Sequence, residues 1–341
     1  MKIDDFYDVV VVGAGPSGSI CAKKLSDNGL KVLLIEKCNM PRNKACTGIV
    51  APDSVKIIEK EIGAFPKALC VRPEAFKGFK YKMSKGVPFI NMNQSDDEVC
   101  YSVWRRDFDY WLALEASYAG VNVVDQCFFV SIDKMSKDMV EIRIQVRSDD
   151  GITSEIKLIK ARYLVGADGI NSRVRRSLFP ENKGGSNNFC RQEYYHGKSC
   201  LEVGYYYYFR YNTAVDEPIW LFHKDGYIVI GSVAYPGNKI IENRNKIHQF
   251  LNENYGLQVG KMEFYEVCRE STNYTIQRIA KGNLDFTYGV EGYPVLMVGE
   301  AAEMVDSMGE GIAVALESGC NAAEAILLYE KSHKENLQSL Y

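Results

Sequence analysis

The segment YDVVVVGAGPSGSICAKKLSDNGLKVLLIEK, Tyr7 to Lys37, constrains the fold more than any other part of the chain. A β-branched run, Val9 to Val12, leads into Gly13, Gly15 and Gly18, and a helical pattern follows. Asn28 and Gly29 stop that helix, and a second apolar run ends at Glu36 and Lys37. Strand, glycine turn, helix and strand in this order make a βαβ unit. With GxGxxG at its first turn, such a unit is a dinucleotide fingerprint. Gly13 permits the tight turn, and Gly15 lets the backbone approach a pyrophosphate at the helix N-terminus, which Pro16 and Ser17 open. Gly18 lets helix and strand pack closely. Glu36 would accept hydrogen bonds from the adenosine ribose hydroxyls, with Lys37 beside it in the cofactor-binding set. The fingerprint by itself does not separate a nicotinamide from a flavin dinucleotide.

Composition excludes several other classes. At 341 residues, 46% hydrophobic and 25% charged, the chain can form one large domain or two ordinary ones without covalent staples. A net charge of -3 leaves no basic field for a phosphate backbone, and the cluster RVRR (Arg173 to Arg176) is short, so nucleic acid is not an expected partner. Ten cysteines without a CxxC pair and four dispersed histidines suggest neither a metal site nor a disulfide framework. The thiols are expected reduced and mostly buried, in a cytoplasmic protein. MKIDDFYDVVVVG lacks the pattern of a signal peptide and no apolar run has bilayer length, so membrane contact is expected to be peripheral at most.

Three further segments bear on the cofactor. ARYLVGADGINSRVRRSLF (Ala161 to Phe179) reads as a strand, a Gly-Ala-Asp-Gly turn and a basic helix start, with the spacing GADGxxSxVR. YPVLMVGEAAEMVDSMGEGIAVALESG (Tyr293 to Gly319) is a strand ending at Gly299, a carboxylate at Glu300, and a Gly-Glu-Gly turn opening a helix. RRDFDYWL (Arg105 to Leu112) matches RxxFDxxL. Together these motifs make the chain resemble the geranylgeranyl reductase-like branch of the FAD-dependent oxidoreductases that share the para-hydroxybenzoate hydroxylase fold. The resemblance implies an α/β fold: a Rossmann-like FAD-binding domain of the para-hydroxybenzoate hydroxylase type, with an inserted antiparallel β-sheet substrate domain. It implies FAD as cofactor, with Asp168 and Gly169 securing the loop near the pyrophosphate. Arg105 would reach the same region from a helix whose apolar face is Phe108, Trp111, Leu112 and Ala116. Glu300, after Gly299, would bond the ribityl hydroxyls. Gly309, Gly311 and Ile312 would open a helix whose positive end faces the pyrimidine side of the isoalloxazine and favours the anionic reduced flavin. Glu300 stands where the family usually has Asp, no proline stands near Ser307 where the family has one, and the family is one residue longer between the carboxylate and the Gly-Glu-Gly turn.

The loop after the second strand, PRNKACTG, fits the family's Pro-x-x-Lys-x-Cys-x-Gly pattern, with Thr47 in place of the usual first glycine. The resemblance places Lys44, Ala45, Thr47 and Gly48 against FAD and Cys46 between FAD and substrate. Hydride addition to a double bond leaves a carbon that also needs a proton, and a thiol can donate one. The alternative is a small buried residue that lets the loop pack against the flavin.

Segments between the flavin motifs are strand-rich and aromatic, including a hairpin, IWLFHKDGYIVIGSV, around Lys224-Asp225-Gly226. PIWLF aligns with the family's YxWxFP element, which assigns Trp220 and Phe222 to the substrate. Of the tyrosines in GYYYYFR, alternate ones, Tyr206 and Tyr208, can line the same cavity. His223 is either a proton donor or a solvated side chain beside the turn. Ile240, Ile241, Ile247, Phe250 and Leu251 suggest a helix behind the sheet. The FAD-binding domain is expected from residues 1–70, 100–180 and 284–330, the substrate domain from 71–99 and 181–283, and a frayed tail from 331–341. The expected function is a reductase passing hydride from reduced FAD to a C=C bond of an apolar, isoprenoid-like or other small organic substrate. A monooxygenase using NAD(P)H and dioxygen, and a flavin redox partner without organic substrate, are the alternatives. With a single GxGxxG unit, taken by FAD, the electron donor is external: NAD(P)H or a protein.

Overall fold

The computed structural model describes residues 3–73, 76–84, 86–93, 100–147, 153–180, 189–210, 214–234, 240–269, 289, 292–305, 311–332 and 337–341. Continuous apolar runs form its central parallel strands: β1 (Phe6–Val12), β2 (Val32–Ile35), the C-terminal half of β10 (Ser154–Gly166) and β16 (Val295–Met297). With β7 (Asn122–Val124) on the outer edge of β2, they make a sheet buried on both faces, which is why these segments show no polar alternation. Period-two geometry divides the valines of β1: Val9 and Val11 join one core with Ala22, Leu25 and Ile326, while Val10 and Val12 join another with Ile142, Ile159 and Met297. The N-terminal half of β10 changes character. It starts exposed, alternates exposed and buried residues from Leu158 to Ala161, and pairs antiparallel with β9 (Val140–Arg147), which pairs with β8 (Cys127–Met135).

Helix α1 (Pro16–Asp27) starts with Gly15 as an extended N-cap and Pro16 in its first turn, and ends at Asn28 and Gly29, the latter at φ +86. It packs on α6 (Ile312–Ser332), with backbones in close approach: a methyl group added at Gly319 would fall 2.3 Å from the Ser17 carbonyl oxygen. α6 is long and apolar enough to cross a membrane, yet it is a core helix that buries Ala322, Ala323, Ala325 and Ile326 beside the parallel sheet. Helices α2 (Pro52–Glu61) and α3 (Arg105–Tyr118) and the short antiparallel pair β3 (Ile49–Val50) and β6 (Tyr101–Ser102) enclose a third core around Phe65, Phe108 and Leu316.

The second large sheet runs in the order β15 (Gln258–Arg269), β11 (Phe189–Lys198), β14 (Tyr227–Ala234), β13 (Ile219–Lys224), β12 (Tyr205–Phe209), β4 (Gly78–Lys82) and β5 (Ile90–Asn93). The expected antiparallel sheet carries one exception: β12 and β4 pair in parallel. No hairpin joins these two strands, so a chain crossing rather than a turn sets the direction of β4. β13 and β14 form the expected hairpin, with Asp225 at φ 51 and Gly226 at φ 83 matching the right-handed twist of the strands. Helix α5 (Ile240–Tyr255) covers one face through Ile247 and Leu251, over Tyr207, Phe209, Leu221 and Ile230. The opposite face carries Tyr194, Trp220, Phe222 and Val229, packed with Trp104, Cys190, Tyr206 and Tyr208.

Candidate functional site

Two of the three fingerprint glycines are demanded by the protein itself. A methyl group at Gly13, which lies at φ +110, would fall 2.4 Å from the Ala167 carbonyl oxygen, and one at Gly18 only 1.9 Å from that of Gly13. Gly15 differs, since among the described residues the only atom within 4 Å of such a methyl group is Arg42 Nη2 at 3.8 Å. Among the described residues, therefore, the space before the α1 N-terminus is open and no side chain caps its first N–H groups. Glu36, buried at the end of β2, accepts from Ala14 N at 3.2 Å and Cys38 N at 3.0 Å and lies 3.3 Å from Arg42 Nε. Lys37 beside it is exposed.

Arg42 ties the loop after β2 to helix α3. Its Nη1 donates at 2.9 Å to Asp109 Oδ2, while Arg105 grips the same carboxylate with Nε at 2.7 Å and Nη2 at 3.0 Å. Burial alone would raise the Asp109 pKa, but Arg105 and then Arg42 hold it below the usual carboxylate range. Arg105, placed in sequence near the pyrophosphate, is thus engaged with Asp109 and with the Cys46 thiol. The motif RxxFDxxL contains both members of this pair: its aspartate stands four residues, one helical turn, after its arginine.

At the same C-terminal end of the parallel strands, against Gly13, Asp168 Oδ2 accepts from the N–H groups of Arg173 at 2.6 Å and Val174 at 3.3 Å, capping α4 (Arg173–Leu178). Its Oδ1 is buried without a partner among the described residues, and burial raises the carboxyl pKa against those donors. Gly169 at φ +74 has open space around it. Arg175, nearly fully buried, donates to the carbonyls of Ile170 at 2.7 Å and Ala301 at 2.9 Å, fastening the Gly-Ala-Asp-Gly turn to the turn that carries Glu300. Glu300 Oε2 lies 3.4 Å from Lys44 Nζ, and Gly299 N donates to Ser318 Oγ at 2.9 Å. Gly311 and buried Ile312 begin α6, and Gly309 lies outside the described residues.

The loop holding Ala45, Cys46 and Thr47 is stitched from two sides. Gly48 N donates to Cys46 Sγ at 3.4 Å, and the Gly48 carbonyl accepts from Val103 N at 2.8 Å. From the second sheet, Lys224 Nζ donates to the Thr47 carbonyl at 2.8 Å and sits 4.3 Å from the centre of the Trp104 ring. Lys224 is 1% exposed. Burial is the main reason its ammonium titrates as low as about 8, with the nearby Cys46 and Glu266 acting to raise it. Between this value and the ordinary lysine value of 10.5, the unfolded chain binds more protons than the folded one, so this group's contribution to stability rises with pH. A depression of this size corresponds to about 3 kcal/mol. Melting temperatures of the wild type and Lys224→Met should therefore converge or cross in favour of the wild type between pH 8 and about 10, and a constant difference over that range would contradict the burial of a charged Lys224.

Trp220, Phe222, Tyr206 and Tyr208 share the sheet face that also carries Trp104. Tyr206 and Phe222 have ring centres 5.7 Å apart, and burial pushes the Tyr206 phenol well above its ordinary value, followed by the effects of Tyr208 and Cys190. Cys46 lies within electrostatic reach of both Tyr206 and Tyr194, so this aromatic face and the thiol loop confront each other. His223 does not take part: strand alternation turns it to the other face, where it is half-buried and its pKa is lowered by burial.

A family model described as an FAD binding domain matches residues 6–189, more than half of the chain. The chain belongs to the FAD binding domain family. A digeranylgeranylglycerophospholipid reductase of Methanothrix thermoacetophila is 28% identical to it over 364 aligned positions, covering 97% of this chain and 83% of its own length. Among solved structures, a geranylgeranyl bacteriochlorophyll reductase-like protein of Thermoplasma acidophilum superposes with a TM-score of 0.77 at 23% identity, over 96% of this chain and 80% of its own. The myxobacterial chondrochloren halogenase does so with 0.74 at 20% identity, over 99% and 78%. These two likenesses show the fold. The protein is an FAD-dependent oxidoreductase similar to the geranylgeranyl reductases.

The residues of this FAD-binding protein fit the cofactor on structural grounds. The open space at Gly15, the uncapped α1 N-terminus beside the Arg42 guanidinium, and the orphaned Asp168 Oδ1 are polar features that a bound dinucleotide would satisfy. Arg42, Asp109, Arg175 and Lys224 were not singled out in sequence. Asp109 carried a signal in its spacing from Arg105. Arg175 read as part of a basic helix start, and Lys224 only as part of the hairpin turn with Asp225 and Gly226.

Proposed function

We propose that the protein is a reductase that adds hydride from reduced FAD to a carbon–carbon double bond of a small apolar substrate. FAD, when bound, supplies a carrier that accepts two electrons and releases them as a hydride equivalent. In this reading the remaining tasks fall to the chain. Gly13, Gly15, Pro16, Ser17, Gly18 and Arg42 hold the diphosphate end, Asp168 secures the turn beside it, Glu36 holds the ribose, and Lys44, Glu300, Gly311 and Ile312 the flavin edge. Tyr206, Tyr208, Trp220 and Phe222 exclude water from the substrate and orient it against the loop. Cys46 donates the proton that the second carbon needs. The observation that carries this reading is the apposition of an apolar aromatic sheet face to a loop bearing a half-buried thiol.

Residues 71–99 and 181–283 would be the substrate part and 1–70, 100–180 and 284–330 the flavin part, with 331–341 a tail and an external nicotinamide or protein as donor. Reduced thiols fit a cytoplasmic setting. Anaerobic incubation of photoreduced enzyme with short prenyl alcohols should yield products heavier by two hydrogens. Substrate-stimulated oxygen consumption with an oxygenated product would instead identify a monooxygenase. Cys46→Ala should retain FAD and its reduction by dithionite while turnover falls roughly 10²-fold, the effect of losing a positioned acid, and Cys46→Ser should lie between. Wild-type turnover in both variants would make Cys46 a packing residue and move the proton to Tyr206.

A further inference from the structure

Two more thiols share the sheet face that confronts Cys46. Cys190 on β11 and Cys268 on β15 are direct partners in the antiparallel ladder. Residues opposed in this way have Cα atoms about 4.5–5.5 Å apart and side chains on one face, inside the roughly 4.4–6.8 Å that a disulfide spans. The two thiols are hydrogen-bonded to each other. Cys190 packs with Tyr194, Trp220 and Phe222, and Cys268 lies within electrostatic reach of Glu300 and Lys44, the ion pair assigned above to the flavin edge. The hydrogen bond from Cys190 lowers the Cys268 thiol below its ordinary range, against burial and the Glu300 carboxylate, and Lys44 acts in the same direction. Thiolate character at one member of a close pair is the condition for thiol–disulfide chemistry.

We propose that Cys190 and Cys268 are a redox-active dithiol that closes to a cross-strand disulfide and delivers its electrons to FAD. In the step, both S–H bonds break and one S–S bond forms. The electron pair and one proton go to the isoalloxazine, giving the reduced flavin anion, and the second proton leaves to solvent. The dithiol is oxidised and the flavin reduced, and an external dithiol reopens the disulfide by exchange. The pair thereby provides an entry for electrons that needs no nicotinamide site.

The test uses holoenzyme. After mild oxidation with glutathione disulfide and removal of the reagent, the wild type should be lighter by two hydrogens and yield a peptide linking Cys190 to Cys268. Anaerobic dithionite titration should then consume four reducing equivalents per FAD, against two in Cys190→Ser and Cys268→Ser at equal FAD content. Dithiothreitol under anaerobic conditions should bleach the flavin of the wild type at least tenfold faster than that of either variant. Two equivalents and no linked peptide in the wild type would overturn the dithiol, and equal bleaching rates would overturn its electron transfer to FAD.

Discussion

Gly15→Val should give a folded protein without bound flavin. The wild-type residue has φ -87 and ψ -174, extended backbone that valine adopts readily, and a methyl group there meets, among the described residues, only Arg42 Nη2 at 3.8 Å. The fold therefore accepts the side chain. The same side chain fills the space that a pyrophosphate needs to reach the first N–H groups of α1. Overpacking of this kind costs about 1–3 kcal/mol, and lost phosphate hydrogen bonds add to it, so FAD affinity should fall by roughly 10²-fold or more. Gly13→Ala and Gly18→Ala are the controls, because added methyl groups at 2.4 Å and 1.9 Å from backbone oxygens should prevent folding itself. Visible absorbance per protein and far-ultraviolet circular dichroism separate the two outcomes. A Gly15→Val protein with its full flavin spectrum would displace the pyrophosphate from this helix.

That contrast shows what local sequence encodes. Apolar runs at Val9 to Val12 and Val32 to Ile35 and the glycine spacing between them are short-range patterns, and each corresponds to a strand or turn. The same holds for the Lys224-Asp225-Gly226 hairpin and for Ile247 and Leu251 on α5, where period-two and helical spacing survive within a single element. The parallel pairing of β12 with β4 is different, because strand direction depends on the chain path rather than on alternation. Lys224 was illegible for a related reason. The residues that bury it, Thr47 and Trp104, belong to a distant loop and helix start, whereas its neighbours in sequence suggest a wet turn. Cys190 and Cys268 meet only through the register of β11 with β15, which no spacing in the sequence discloses.

The Arg42, Asp109 and Arg105 cluster joins both kinds of information, and its removal should have the largest effect on stability. Arg105 and Asp109 are one helical turn apart and could be paired from the motif, but Arg42 reaches them across 67 residues. Asp109 is fully buried, Arg105 is buried, and the Arg42 side chain is 14% exposed. Asp109→Ala would leave Arg42 with Glu36 as its remaining carboxylate and Arg105 beside the Cys46 thiol. Breaking one side of a buried ion pair costs about 3–5 kcal/mol, because the abandoned charge stays desolvated. Asp109→Asn keeps the shape and one acceptor oxygen but loses the charge, and should cost somewhat less. Urea unfolding at neutral pH should show this loss as a lower midpoint with unchanged slope. Charge linkage adds a pH signature. Asp109 is held below the ordinary carboxylate range, so the stability it confers is complete above that range and is lost as pH falls through its lowered folded value. The wild type should therefore lose its advantage over Asp109→Asn in acid, below about pH 4. Because Arg42 also stands over the α1 N-terminus, the surviving folded fraction should bind FAD less tightly. An Asp109→Ala protein as stable as the wild type, with normal FAD affinity, would show that the two arginines find other partners and that the cluster does not hold the loop.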